Sequence, residues 1–282
     1  MRTNRFKNKS KNKKKLSLKK YFFIGLFFCL FIGLAYFIIW SPYFLIENIK
    51  IEGQTKHLQG IKEIVTEKAY EKNIFLAPIN QIREDVLEKY SDIKDVKITR
   101  QLPNILNIQV QQRKNIGIWC QIQEEEKQEE LEQATSTEEV IEEVIEIVRE
   151  RKINQCFYFD PEGIIFQEAP LMSGSLILNV YEDEKPIEIR DQVMSEDLVK
   201  FILDVKKGLS EMSLSEAEDF EIVYLEDLRV TTVQGWQIYF NPTESVGSQL
   251  EALKVVIEKE AKESLDSIKY FDLRIEGRIY YQ

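Results

Sequence analysis

Residues 21–40 read YFFIGLFFCLFIGLAYFIIW and hold no charged side chain. Twenty helical residues at about 1.5 Å each match the roughly 30 Å hydrocarbon core of a bilayer. Tyr21 at one end, and Trp40 and Tyr43 at the other, suit the two membrane–water interfaces. The preceding residues, MRTNRFKNKSKNKKKLSLKK, contain ten Lys or Arg and no acid. Lysine and arginine stay on the cytoplasmic side, so the asymmetry predicts a basic cytoplasmic tail at 1–20 and a transmembrane helix at 21–41. Everything after the helix is then extracytoplasmic, giving a single-pass type II protein of the cell (inner) membrane. A cleaved signal peptide would have an apolar stretch of roughly 7–15 residues and a small-x-small cleavage site. Here the stretch is longer and bulky residues, IIWSPYFLI, close it. The reading is a signal anchor.

The full chain carries 48 Asp+Glu against 38 Lys+Arg. Setting the tail aside leaves 28 basic against 48 acidic groups, a balance of about −20. Such a body lacks the basic face that nucleic acid requires, so no nucleic-acid partner is expected. The tail sets topology, and it can also rest on anionic lipid at up to about 1 kcal/mol per charge. Of the three cysteines, Cys29 falls in the membrane, while Cys120 and Cys156 fall where disulfides persist. There is no Cys-x-x-Cys spacing and one histidine, His57, so neither a metal site nor a cofactor is expected.

After Ser41-Pro42, FLIENIKIEG (44–53) alternates as a strand does. HLQGIKEIVTEKAY (57–70) and INQIREDVLEKYS (79–91) place apolar residues at helical spacing: Leu58, Ile61, Ile64 and Val65, then Ile79, Ile82, Val86, Leu87 and Tyr90. IKDVKITRQL (93–102) and NILNIQVQQR (104–113) alternate again around a turn at Leu102-Pro103-Asn104, which predicts a hairpin. The order is β-α-α-β-β. Beyond it, strands are expected at 114–120, on either side of Asp160-Pro161-Glu162-Gly163, at 175–180 and in a three-strand meander over 220–240 with a turn at Gln234-Gly235. Helices are expected at 195–212, capped by Ser195, and at 248–265. The fold class is α+β: a single membrane helix, a small β-α-α-β-β domain at 42–113, and a mixed domain with an antiparallel-rich sheet at 114–282.

Catalytic chemistry has little to work with. A Ser-His-Asp or Cys-His arrangement could draw only on His57, which opens the first helix and reads as an exposed loop or cap position. Eleven glycines form no phosphate-binding cluster. The carboxylates lie on helix faces and in one acidic run, where solvation accounts for them. The expectation is a binding module, not an enzyme.

Two stretches, the first strand ending in IEG (51–53) and VKITRQLPNILNIQV (96–110), resemble the POTRA domain of the FtsQ/DivIB family of bacterial cell-division proteins. CFYFDPEGIIFQEAP (156–170) is similar to the opening of that family's β-domain, and YFDLRIEGRIYY (270–281) to its terminal strand. The resemblance covers the chain apart from residues 121–155. It implies a non-enzymatic bitopic scaffold at the division septum that binds FtsB/FtsL-like coiled-coil proteins (DivIC and FtsL in Gram-positive bacteria) and regulates septal peptidoglycan synthesis. It also implies that the POTRA unit engages FtsK-like proteins through its second strand and helices. The alternatives are a POTRA-bearing component of protein export, and a signal-anchored cell-wall enzyme.

Residues 121–155 depart from the family pattern. The run EEEKQEELEQATSTEEVIEEVIEIVRERK is rich in glutamate, and Val140, Ile141, Val144, Ile145 and Val148 mark one apolar stripe. A short solvated helix on a stalk is expected there, or else a docking helix for a partner. The insertion starts one residue past Cys120 and ends one before Cys156, so the thiols could lie opposite one another as a disulfide or be buried separately. The stretch 270–281 alternates strictly, with Phe271, Leu273, Ile275, Ile279 and Tyr281 on one face. As the last strand it is expected to lie at a sheet edge open to a partner's strand, or to be fully paired. Gly277 marks either a bulge or a tight hairpin. The family resemblance places Tyr270, Leu273, Arg274, Arg278, Ile279, Tyr280 and Tyr281 at the partner contact.

Overall fold

A computed structural model describes residues 18–130, 145–212, 215–224, 227–261 and 268–282. Most of the basic tail lies outside them. The chain forms two compact units, one of residues 1–89 and 95–111, the other of residues 90–94 and 112–282.

In the first unit, helix α1 (Leu18–Trp40) is uncharged from Tyr21 onward and fully long enough to cross a bilayer. Proline cannot continue a helix, and Ser41-Pro42 converts the exit into one 3₁₀ turn, Pro42–Phe44, capped by the Ser41 hydroxyl. Strand β1 (Asn48–Glu52) is therefore shorter than the 44–53 alternation suggests. Helices α2 (Leu58–Ala69) and α3 (Ile79–Lys89) follow, then β2 (Ile93–Gln101) and β3 (Ile105–Gln112). The sheet order is β1-β3-β2, with β1 parallel to β3. The expected β-α-α-β-β order is the observed one. Ile61, Val65 and Ala69 of α2 and Ile82 and Val86 of α3 are buried, as are Leu106, Ile108 and Val110 of β3. Leu58 is an exception: it lies on the apolar stripe of α2 but at the helix's first position, and it is exposed.

The second unit is built on a nine-stranded sheet. Its strands are β4 (Gly117–Glu130), β5 (Ile145–Phe159), β6 (Ile165–Glu168), β7 (Asn179–Asp183), β8 (Ala217–Tyr224), β9 (Asp227–Thr232), β10 (Gln237–Phe240), β11 (Tyr270–Asp272) and β12 (Tyr280–Tyr281). The order is β12-β11-β10-β9-β8-β7-β4-β5-β6. Strand β7 lies parallel to both β4 and β8, and β10 lies parallel to β11; the other pairings are antiparallel. Helices α4 (Glu196–Glu211) and α5 (Val246–Val256) bury Val199, Ile202, Val205, Leu250 and Leu253 in one core with Trp119, Phe159, Phe220, Phe240 and Phe271 of the sheet. Ser195 caps α4 through the Leu198 N–H, as its position suggests.

Two elements differ from expectation. The strand at 175–180 begins only at Asn179, because the Ser175 and Ile177 carbonyls accept bonds from Lys206 Nζ at 2.7 and 2.9 Å, which holds 174–177 as a turn. Helix α5 gives way after Val256 to a π-type turn at Ile257–Ala261, so the helix expected to 265 stops short within the described residues.

The insertion is also different. Its described flanks are not a helical stalk: β4 and β5 continue into it as an antiparallel ribbon, from Gln121↔Gln155 out to Glu130↔Ile145. Ile145 and Val148, counted on a helical stripe, stand in β5. The backbone register runs without a further break from Ile122↔Ile153 to Glu130↔Ile145, so strand pairing, which a lone helix has no partner for, carries the chain into the insertion. The rest of that stripe, Val140, Ile141 and Val144, lies outside the described residues.

Candidate partner-binding edge

The alternation over 270–281 reads as one strand, and the structure makes it two. Strand β11 adds parallel to β10 with Gln237↔Tyr270 and Ile238↔Phe271, and β12 folds back on its other side with Phe271↔Tyr281 and Asp272↔Tyr280. Residues 275–278 form the turn between them, closed by the Arg278 N–H donating to the Ile275 carbonyl at 3.0 Å. Gly277 sits there with φ 72°, a left-handed conformation that a side chain resists. Gly277 thus belongs to a hairpin, not to a bulge. Tyr270–Asp272 has neighbours on both flanks, so the expected open edge over 270–281 is corrected to β12, the outermost strand on this side.

The predicted contact residues separate into layers. Leu273 is 3 % exposed and belongs to the core, so it supports the edge from beneath and offers no surface. Phe271 is also buried, edge-on to Trp236 at 5.3 Å. Arg278, Tyr280 and Tyr281 are exposed on the turn and outer strand, as is Ile275. Ile279 packs partly against the core, and Tyr270 is half-buried.

Arg274 organises this corner. Its Nε and Nη2 donate to the two carboxylate oxygens of Asp272 at 2.9 and 2.6 Å, and its Nη1 donates to Asp227 at 2.9 Å. The guanidinium lies over the Tyr239 ring, 5.0 Å from its centroid, and Arg229 lies over the same ring at 5.4 Å while holding Glu221. Tyr270 meets Tyr239 edge-on at 5.8 Å. Arg274's hydrogen bonds hold the Asp272 carboxyl below the usual carboxylate range, against the opposing effect of burial. The Arg274 guanidinium is correspondingly pushed up, first by the Asp272 bonds. Asp227, Arg229, Glu221 and Tyr239 were not among the sequence-predicted residues. Their positions on one face are legible in FEIVYLE, DLRVTT and GWQIYF, but their assembly around Arg274 and Tyr239 depends on which strands are neighbours.

A two-residue outer strand made of exposed tyrosines, next to a strand braced by an ion-pair network, can take an added strand or a helix laid along its flank. The mixed charges discourage a second like edge.

Cys120 and Cys156 are cross-strand neighbours in β4 and β5 and are disulfide-bonded. They lie on the sheet face opposite α4 and α5, among Ile118, Ile153, Tyr158 and Tyr181. His57 is the N-cap residue of α2 and is half-buried. Among the described residues no group of three or more His, Cys, Asp or Glu is arranged to hold a metal ion.

Compared with known proteins, residues 44–113 match the family model of the POTRA domain, FtsQ-type. No curated protein matches the chain.

Proposed function

Because this chain is FtsQ/DivIB-like, with an FtsQ-type POTRA domain at residues 44–113, we propose that it is a non-enzymatic, single-pass membrane scaffold of the division machinery. The domain type marks a division-associated protein, and the one membrane-length helix near its start is consistent with a bitopic one. In our reading the tail is cytoplasmic, both folded units are extracytoplasmic, and the protein gathers at the septum. It captures FtsB/FtsL-like (DivIC/FtsL) coiled-coil proteins at the β11–β12 edge and through them regulates septal peptidoglycan synthesis. The FtsK-like contact is assigned to β2, an edge of the three-stranded sheet, and the adjoining helices.

The observation that carries this reading is the FtsQ-type domain placed four residues beyond a membrane-length helix. A fluorescent fusion in dividing cells is expected to form a band at the division site, and an even distribution around the envelope would end the division reading. Removal of residues 278–282 is expected to abolish co-purification of the small coiled-coil partners. Undiminished capture would move the contact elsewhere on the protein.

A further inference from the structure

The connection between α2 and α3, YEKNIFLAP (70–78), is fastened to the exit of the membrane helix. Asn73 is 7 % exposed, and its Nδ2 donates to the Ile38 and Ile39 carbonyls at 2.8 and 3.1 Å. Those carbonyls belong to the last turn of α1, where no intrahelical donor remains. Backbone bonds from Ile46 to Lys72, Glu71 to Ile46 and Ile74 to Phe44 stitch the connection to residues 44–46. Arg100 holds it from behind through the Ile74 and Ala77 carbonyls. This loop has one fixed position relative to the helix end.

Held there, it turns apolar side chains outward. Leu76 is 64 % exposed, Tyr43 64 % and Phe75 42 %. Phe75 packs edge-on against Phe44 at 5.4 Å, and Phe44 against Tyr43 at 5.5 Å, so the three rings form one cluster beside the helix exit. Ile38 and Ile39 stand within about 3 Å, along the axis, of Trp40 at the end of the span. The headgroup layer adds about 5–8 Å beyond the hydrocarbon core on each side. A loop whose side chain grips those carbonyls is therefore at the depth of that layer, where amphipathic and aromatic groups are favoured.

We propose that Tyr43, Phe75 and Leu76 form a bilayer contact, inserted into the interfacial layer next to the span, so that the membrane-proximal unit stands on lipid as well as on its helix. The proposal rests on the membrane reading of α1. It is tested on the full chain in lipid vesicles, in a Cys29→Ser background, with a nitroxide attached at Leu76→Cys, Lys62→Cys or Leu30→Cys. The disulfide-bonded cysteines do not react. Collision rates with oxygen, which concentrates in lipid, and with a nickel chelate, which stays in water, report the surroundings of each label. The expected result is an oxygen-to-nickel ratio at 76 several-fold above that at 62 and approaching that at 30. Equal ratios at 76 and 62, with a lipid value at 30, overturn the proposal and leave the membrane helix standing. A water value at 30 overturns both.

Discussion

Asp272 and Asp219 are half-buried aspartates of one sheet with opposite electrostatics. Asp272 binds its proton less readily in the folded chain because Arg274 donates two hydrogen bonds to it. Its stabilising contribution is complete above the unfolded value near 3.9 and is lost as pH falls through the lower folded value. Asp219 is raised, chiefly by burial, and only partly relieved by Asn179. Its charge opposes folding at neutral pH, and that cost disappears as pH falls toward its unfolded value. Urea titrations are expected to show Arg274→Ala destabilised by about 1 kcal/mol at pH 7, given the partial exposure of the pair. That deficit should begin to shrink as pH falls below about 4, where Asp272 of the unfolded chain is protonated, and fade further as pH falls through the lower folded value. Asp219→Asn is expected to move the midpoint upward at pH 7, with the gain vanishing near pH 4. A midpoint lowered at every pH would mean that the Asp219 carboxylate is needed where it stands. Tyr181, on the same face, has its phenol pushed up to about 12 by burial and by Asp219, so it stays neutral throughout this range.

At the level of elements, the ribbon and the hairpin explain what the sequence could convey. Period and capping were legible wherever a segment packs on one side: α2, α3, α4 with its Ser195 cap, and the β8–β10 meander lie where the spacing puts them. They were not legible where one pattern serves two conformations. Ile145 and Val148 fit a helical stripe and a strand equally well, and only their register with residues 123–130 decides between them. Ile275 and Ile279 keep the parity of Phe271 and Leu273 straight through a turn, so the alternation hides the fold-back that Gly277 permits. The Arg274–Tyr239–Asp227 corner was illegible because it brings Arg274, just past β11, back to the β9–β10 hairpin some way earlier in the sequence. The Cys120–Cys156 bond, spanning 36 positions, closes the ribbon at its base. In the chain-entropy account such a loop contributes about 3–4 kcal/mol. Replacing both cysteines by alanine is expected to lower unfolding stability by about this amount in denaturant titrations monitored at Trp119 and Trp236. A change under about 1 kcal/mol would show that the strand pairing already confines the loop.

On the scale of the molecule, two units with separate cores should not unfold as one. Calorimetry of the reconstituted chain is expected to resolve two transitions, and dithiothreitol should shift one alone, because both bonded cysteines belong to the larger unit. A single transition that moves as a whole would mean that the units unfold cooperatively. The strand order has a consequence for synthesis. In the nine-stranded sheet every strand after β4 lies beside one made before it: β5 and β7 against β4, β6 against β5, and then each of β8 to β12 against its predecessor. A chain emerging from the ribosome or an export channel can therefore lay down this sheet outward from β4, with a finished template waiting for each new segment. The three-stranded sheet lacks that property, since β2 pairs with β3 and must wait for it. The margin proposed for partners is accordingly the last course of this sheet to be laid, and it exists only on a molecule whose earlier courses are already in place.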